Sequence, residues 1–317
     1  MKIGIPKALL YFKYYPFIET FFTELGAEIV TSQDTNKEIL NLGSKYCVDE
    51  ACLPVKIFHG HAASIKDSCD FLFIPRIMQI NEGEFICPKF CGLPEMVMNS
   101  IPDLPICITT PIYAYSKKSI KTFAYQAGSF FTTDKRKINS AYEAALYSQN
   151  EHKCGIKSHN YKLNIALVGH PYNIYDTYIN MDIVSKLNKL GIGVLTEENI
   201  QDYFIELQMN NLYKKPFWTF AKNSYGFSIF AAENRKIDGI VYISSFACGI
   251  DSVVIELIKD KLKNFPLLLL KIDEHTGEAG FDTRLEAFSD MLERRHNTDD
   301  NNISSFREHS VCIKSNI

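Results

Sequence analysis

The sequence predicts an α/β protein made of two Rossmann- or flavodoxin-like domains whose parallel sheets face a shared cleft. Three observations carry this expectation. Short apolar runs of strand length alternate with longer segments of helical period. The same rhythm starts again after a polar stretch near the middle of the chain. Loops rich in Cys, His, Pro and Gly follow the expected strands, at the edge where open α/β sheets bind ligands.

Composition limits what such a protein can do. At 317 residues and 46% hydrophobic, the chain can bury a core large enough for two domains. A formal net charge of −3 gives no basic footprint, so nucleic acid is not an expected partner. No apolar run approaches the ~18 residues of a membrane span, and the first residues read as a strand rather than a secretory leader. A cytoplasmic protein with no membrane partner is expected. Nine cysteines at scattered spacings do not form a disulfide framework, because the number is odd and the compartment reducing. They are core residues, metal ligands or catalytic groups, and local setting must decide.

The first half opens with the strand Lys2–Ile5, a helix from Leu9 to Leu25 ended by Gly26, and a strand from Ala27 to Val30. A helix is expected from Asn36 to Leu42 with Thr35 as its cap. Cys52 then precedes Pro54 and a helical pattern, so it stands at a helix start. Cys47 and Cys52 do not have zinc-knuckle spacing and lack a second pair. His59 and His61, two apart on that helix, point away from each other. The run Phe71–Ile74 reads as a buried strand that opens into a loop with Cys87-Pro88 and Cys91. Pro88 fixes the chain after the thiol, while Cys91 is either an additional ligand or a packing residue. A fourth strand, Ile106–Thr110, contains Cys107. Helices over 116–127 and 134–147 follow. The polar, aperiodic stretch 149–161, which contains Cys154, is the expected link between domains 1–155 and 156–317.

The second half repeats the plan. The strand Leu163–Val168 ends in Gly169-His170-Pro171-Tyr172, a helix covers 179–190, and Val194-Leu195 begins another strand. A helical stretch from Asn199 to Asn234 breaks near Pro216. The strand Gly239–Ser245 then turns through Cys248 and Gly249 into a helix from Asp251 to Leu262. The strand Pro266–Ile272 leads to the acidic run Asp273–Glu278 and a last helix over 283–295, followed by a polar tail read as mobile. Cys87 and Cys248 thus each follow a strand at one sheet edge, and Cys52 begins a helix between two strands on what should be the same side. Three separate core cysteines is one reading of them, and three thiolates converging on a metal is the other. Convergence from distant loops suits an iron–sulfur cluster better than a closed four-ligand zinc site.

Several strings in the chain resemble the 2-hydroxyacyl-CoA dehydratase superfamily, nearest to its branch related to acyl-CoA dehydratase activases. They are Lys2-Ile-Gly-Ile-Pro6 with Lys7 to Tyr11, Val48-Asp-Glu-Ala-Cys52 with Leu53 to Lys56, Phe73-Ile-Pro-Arg76, Ile86-Cys87-Pro-Lys-Phe90 with Gly92-Leu-Pro94, Gly169 to Tyr172, Cys248-Gly with Asp251-Ser252, Asp273 to Gly280, and Thr283 to Phe288. The resemblance implies paired Rossmann-like domains and an iron–sulfur cofactor, either a [4Fe-4S] cluster on three cysteines or a double-cubane cluster. It implies Cys52, Cys87 and Cys248 as the ligands, with Cys91 as an additional one at most. His170, Glu274, His275 and Glu278 would then line the cleft as catalytic groups. It also implies a partner: an ATP-hydrolysing iron–sulfur activator protein that injects a low-potential electron, with a homologous dehydratase subunit or a second copy of the chain beside it. The chain is shorter than either dehydratase subunit and has neither a CoA-binding signature nor a Gly-rich phosphate loop, so ATP hydrolysis belongs to the partner. Two functional readings follow. The chain is an iron–sulfur-dependent dehydratase or reductase component, or a non-catalytic electron-transfer subunit. A metal-free α/β binding protein is the third.

Overall fold

The computed structural model describes residues 1–158 and 160–311, the side chains of Asn211 and of residues 298–311 excepted. Its strands run in chain order as β1 (Lys2–Ile5), β2 (Glu28–Thr31), β3 (Phe71–Phe73), β4 (Arg76–Gln79), β5 (Ile106–Ile108) and β6 (Pro111–Tyr113) in the first half. The second half holds β7 (Leu163–Gly169), β8 (Ile192–Leu195), β9 (Gly239–Ser245) and β10 (Leu267–Ile272). They form a four-stranded sheet in the order β2-β1-β3-β5, a second in the order β10-β9-β7-β8, and a two-stranded β4-β6 ribbon. Every pairing within these sheets is parallel. A parallel sheet needs helical crossovers that cover both its faces. The apolar runs of β7 and β9 accordingly have no solvated side. The molecule is an α/β protein with two Rossmann- or flavodoxin-like units.

The first sheet packs an aromatic layer of Phe21, Phe22, Phe73 and Phe123 against the helix Tyr11–Glu24. On its other face, Ile57 and Leu72 belong to one continuous core with Ile165 and Val241 of the second sheet. Burial of side chains this size is worth roughly 1.5–3 kcal/mol each, so the halves are held together by apolar packing as well as by polar bridges. Pro16 lies inside the helix Tyr11–Glu24. Around that break, the Gln149 side chain accepts from the Phe17 amide at 3.3 Å and donates to the Lys13 carbonyl at 3.0 Å, which restores both partners.

Several elements differ from the sequence reading. Asn36, not Thr35, caps the helix Lys37–Tyr46, because its carboxamide oxygen accepts from the amides of Glu38 and Ile39. Thr35 instead donates to Asp176 at 2.5 Å across the halves. Strands β4 and β6 were not anticipated. Each follows the first sheet's strands after a short break and pairs only with the other. The helix expected from residue 179 begins at Ile183, since Met181 and Asp182 adopt left-handed φ of 55° and 52°. The stretch 199–234 resolves into the helices Asp202–Leu207 and Thr219–Glu233. The last helix spans Glu278–Val311, continuing beyond His296, and residues 312–317 lie outside the described residues. In the stretch 149–161, Lys157 forms an antiparallel bridge with Leu195, and His159 lies outside the described residues. No described helix is long and apolar enough to cross a membrane.

Candidate metal centre between the two halves

Four of the residues singled out in the sequence occupy the same structural position, the N-cap of a helix. Cys52 precedes Leu53–Ile65, Cys87 precedes Pro88–Cys91, His170 precedes Pro171–Tyr175, and Cys248 precedes Gly249–Lys261. The sequence enforces this locally. A residue before Pro is pushed into extended backbone, which places Cys87 and His170 just off their helices, and Pro54 in the first turn does similar work for the Cys52 helix. Cys248 is positioned differently: Ala247 takes a left-handed φ of 60°, and the Cys248 amide donates to the Ser245 carbonyl at 3.1 Å. That conformation costs a non-Gly residue roughly 1–2 kcal/mol and aims the chain from β9 into its helix. Gly169 is fixed by close approach, because a Cβ there would sit 2.4 Å from the Ile243 carbonyl oxygen at a φ of +151°.

None of the three cysteines uses its side chain to cap its helix. The helices after Cys52 and Cys248 are each 13 residues long, so their free amides and positive ends favour negative charge at the thiols. Cys52 lies within electrostatic range of both Cys87 and Cys248. All three act on the buried phenol of Tyr172, which burial and these neighbours hold well above the ordinary tyrosine range. Tyr172, which sequence reasoning placed only as part of a string, thus lies within electrostatic range of all three thiols and of Asp251. Phe90 and His170 pack on its ring, at centroid distances of 5.9 and 5.2 Å, and Phe220 closes the other side of His170 at 5.7 Å. Burial raises the Cys87 thiol above its ordinary value. Burial, reinforced by the Asp251 carboxylate, pushes the Cys248 thiol up to about 12.

Cys87 reaches this centre because its loop is sewn onto the second half. The Phe85 amide donates to the Phe217 carbonyl at 2.7 Å, and the Thr219 amide to the Phe85 carbonyl at 2.8 Å. One residue before Phe85, buried Glu84 accepts from buried Lys222 at 2.7 Å. Asp251 is fully buried in the first turn after Cys248, where Tyr242 donates to its Oδ1 at 2.8 Å. Donor atoms of His170, Cys248 and Asp251 all lie within 4.8 Å of one another, a group that could hold a metal ion. The sequence placed Asp251 only at the start of a helix and within one of the family strings.

The other predicted residues fall at different depths. Glu274 pairs with Lys56, one turn after Cys52, and this pairing outweighs burial to hold its carboxyl below the usual range. The His275 side chain is 86% exposed. Glu278 pairs with Lys186 at 2.6 Å on the surface. Cys91 ends the helix that Cys87 starts, and its carbonyl accepts from Arg76 at 3.1 Å. His59 and His61 are buried and partnered. His59 bonds to the Val55 carbonyl at 2.8 Å, and His61 to Ser32 and Thr35 at 2.8 and 2.9 Å. A cavity of about 650 Å³ between the halves is lined by Lys13, Tyr14, Asn81, Thr219, Phe220 and Asn223, among others. One of its lining residues, Phe220, packs on His170, while His170, Tyr172, Cys52, Cys87 and Cys248 do not line it.

The fold and the site define a two-unit α/β protein with a cysteine-lined centre at helix N-termini between its halves. The family model described as the CoA enzyme activase uncharacterised domain matches residues 2–200. The model of the 2-hydroxyglutaryl-CoA dehydratase D-component matches residues 112–292. Each covers more than half of the chain, which therefore belongs to the 2-hydroxyacyl-CoA dehydratase superfamily, in its activase-related branch. No curated protein matches it.

Proposed function

We propose that the chain is an iron–sulfur component of the 2-hydroxyacyl-CoA dehydratase type, with Cys52, Cys87 and Cys248 as its cluster ligands. Residues 1–155 supply two of the ligands and residues 156–317 the third. The observation that carries this reading is the placement of three cysteines at helix N-caps, each within electrostatic range of Tyr172. This donor set fits the group: soft sulfur donors, positive helix ends behind two of them, and an unsatisfied buried carboxylate oxygen on Asp251. When bound, a [4Fe-4S] cluster supplies one-electron chemistry at low potential. An ATP-hydrolysing iron–sulfur activator is the electron donor in this reading, since the chain carries no phosphate-cradling loop of its own.

The chain's own residues then do the remaining work. Phe90 and Phe220 pack on Tyr172 and His170 and hold these two rings in place beside the half-buried cysteines. His170, grouped with Cys248 and Asp251, and Glu274, paired with Lys56, are the acid–base groups of this reading, with His275 and Glu278 toward solvent. The cavity between the halves, one of whose lining residues, Phe220, packs on His170, supports a substrate-handling component over a purely electron-carrying subunit, which needs no such space. In protein prepared anaerobically, Cys52→Ser, Cys87→Ser and Cys248→Ser are each expected to lose most bound iron, while Cys91→Ser keeps it. Unchanged iron content in all three variants overturns the ligand assignment.

A further inference from the structure

The helix Thr219–Glu233 begins on the wall of the cavity between the halves, and its start is left open. Trp218 stands at the N-cap, where Ser, Thr, Asp or Asn would ordinarily supply an oxygen, and its side chain makes no cap. The Thr219 amide donates to the Phe85 carbonyl, but the amides of Phe220 and Ala221 have no partner among the described residues. The aligned peptides of this 15-residue helix put a positive end at those amides. A side chain supplies the second observation. Thr219, which lines the cavity with Phe220, is only 3% exposed, and its hydroxyl has no hydrogen-bond partner among the described residues. Buried hydroxyls are nearly always bonded, so this one marks a missing partner. Free amides, a positive helix end and a free hydroxyl together call for an anion.

The surroundings define that anion. Lys13 lines the same cavity and is shared by Glu197 and Glu198 at 3.3 and 3.2 Å, while the other cation and acid on the wall, Lys153 and Asp202, are both exposed. Charges this nearly balanced suit a head with one negative charge better than a phosphate, which carries about two. Tyr14, Ile80 and Gln149 also line a second cavity, of about 200 Å³. It is walled by Ile5 and Phe73, the last residues of β1 and β3, so it lies where such sheets bind ligands. Its lining is otherwise almost wholly apolar, and two of its polar side chains are already engaged: Tyr11 donates to Glu19 at 2.7 Å, and Gln149 bridges the break at Pro16. An apolar space somewhat larger than the ~150 Å³ that holds a benzene ring takes a hydrocarbon group rather than water. We propose that the two adjoining cavities bind a free aliphatic monocarboxylate, its carboxylate at the start of the helix Thr219–Glu233 and its chain in the apolar cavity. A thioester carries no charge at its carbonyl and would leave the helix start unmet. The site uses none of Cys52, Cys87 and Cys248, so it goes beyond the cluster reading and does not depend on it. Phe220 packs on His170 at 5.7 Å, which sets the bound acid beside the candidate centre.

Calorimetric titration of the full chain, prepared anaerobically, tests this with straight-chain acids from butanoate to octanoate. Affinity is expected to rise about fourfold with each added methylene, and octanol to bind at least about tenfold more weakly than octanoate. Thr219→Val keeps the shape and removes the hydroxyl, so it should weaken octanoate about tenfold and leave octanol unchanged. Ile18→Trp fills part of the apolar cavity and should remove the preference for octanoate over butanoate. No binding of octanoate overturns the proposal, as does octanol or the octanoyl thioester of a small thiol binding as tightly as the free acid. Unchanged octanoate affinity in folded Thr219→Val overturns it as well. If either variant does not fold, the wild-type series of acids, alcohol and thioester decides. Iron is measured on the same samples: a chain that binds octanoate but no iron overturns the cluster reading and leaves the carboxylate site standing.

Discussion

His61 illustrates how a residue's surroundings replace its apparent chemistry. As one of two histidines on a helix it could have been a metal ligand, but Ser32 and Thr35 occupy its two ring nitrogens and it is fully buried. Burial, with nearby Lys7, lowers its pKa from 6.5 to about 3. Folded His61 therefore stays neutral where the unfolded chain takes up a proton. The unfolded state binds more protons between these two values, so stability falls as pH drops from 6.5 toward about 3. His61→Asn is expected to flatten that part of the denaturant-unfolding profile, and an unchanged slope contradicts the account. The thiols carry a second pH dependence. Cys248, with its pKa near 12, and Cys87, also raised, must each lose a proton to bind a metal. Apparent affinity for a probe metal such as Co²⁺ should therefore rise with pH across the neutral and alkaline range. A flat affinity would mean that these thiols are not the ligands.

At the scale of elements, the parts legible in the sequence were those set by local pattern. The strands at Lys2–Ile5 and Gly239–Ser245 and the helix starts at Cys52 and Cys248 follow from apolar period and from Pro or Gly punctuation. The parts that were not legible depend on distant partners. Strands β4 and β6 exist only as each other's neighbours, the Asn36 cap won over Thr35 because Thr35 is engaged by Asp176, and Tyr172 has no local signal for the thiols around it. Asp251 could be placed at a helix start from the sequence, but its full burial depends on the elements packed around it. The helix pair Lys37–Tyr46 and Leu53–Ile65 is another such case. A Cβ at Gly43 would lie 2.0 Å from the Lys56 carbonyl oxygen, and one at Gly60 the same distance from the Ile39 carbonyl oxygen. Backbone cannot yield as a side chain does, so Gly43→Ala is expected to cost at least the ~1–3 kcal/mol of core overpacking. Because Lys56 is one turn from Cys52, it should also loosen metal binding. A chemical denaturation midpoint equal to wild type contradicts so tight a crossing.

At the scale of the whole molecule, the centre exists only because the two halves are locked together. Lys222 and Glu84 form a buried bridge that docks the Cys87 loop on the second half, and Glu206 shares the same lysine. Removing one partner leaves a charge buried alone, so Lys222→Met should destabilise the chain by about 3–5 kcal/mol. Adding Glu84→Gln to that variant should recover part of the loss, a coupling measurable by a double-mutant cycle. Additive effects would mean that the bridge does not hold the halves. Lys13 with Glu197 and Glu198, and Lys56 with Glu274, tie the same two halves at other points. In the proposed reading one ligand comes from the second half and two from the first, so cluster binding should stabilise the assembled molecule by mass action. The most direct test of this account is iron and acid-labile sulfide analysis of the wild-type chain, purified or reconstituted without oxygen. About four irons and four sulfides per chain are predicted, as for a [4Fe-4S] cluster. A colourless chain with no bound iron, or one loaded with zinc alone under the same conditions, contradicts it.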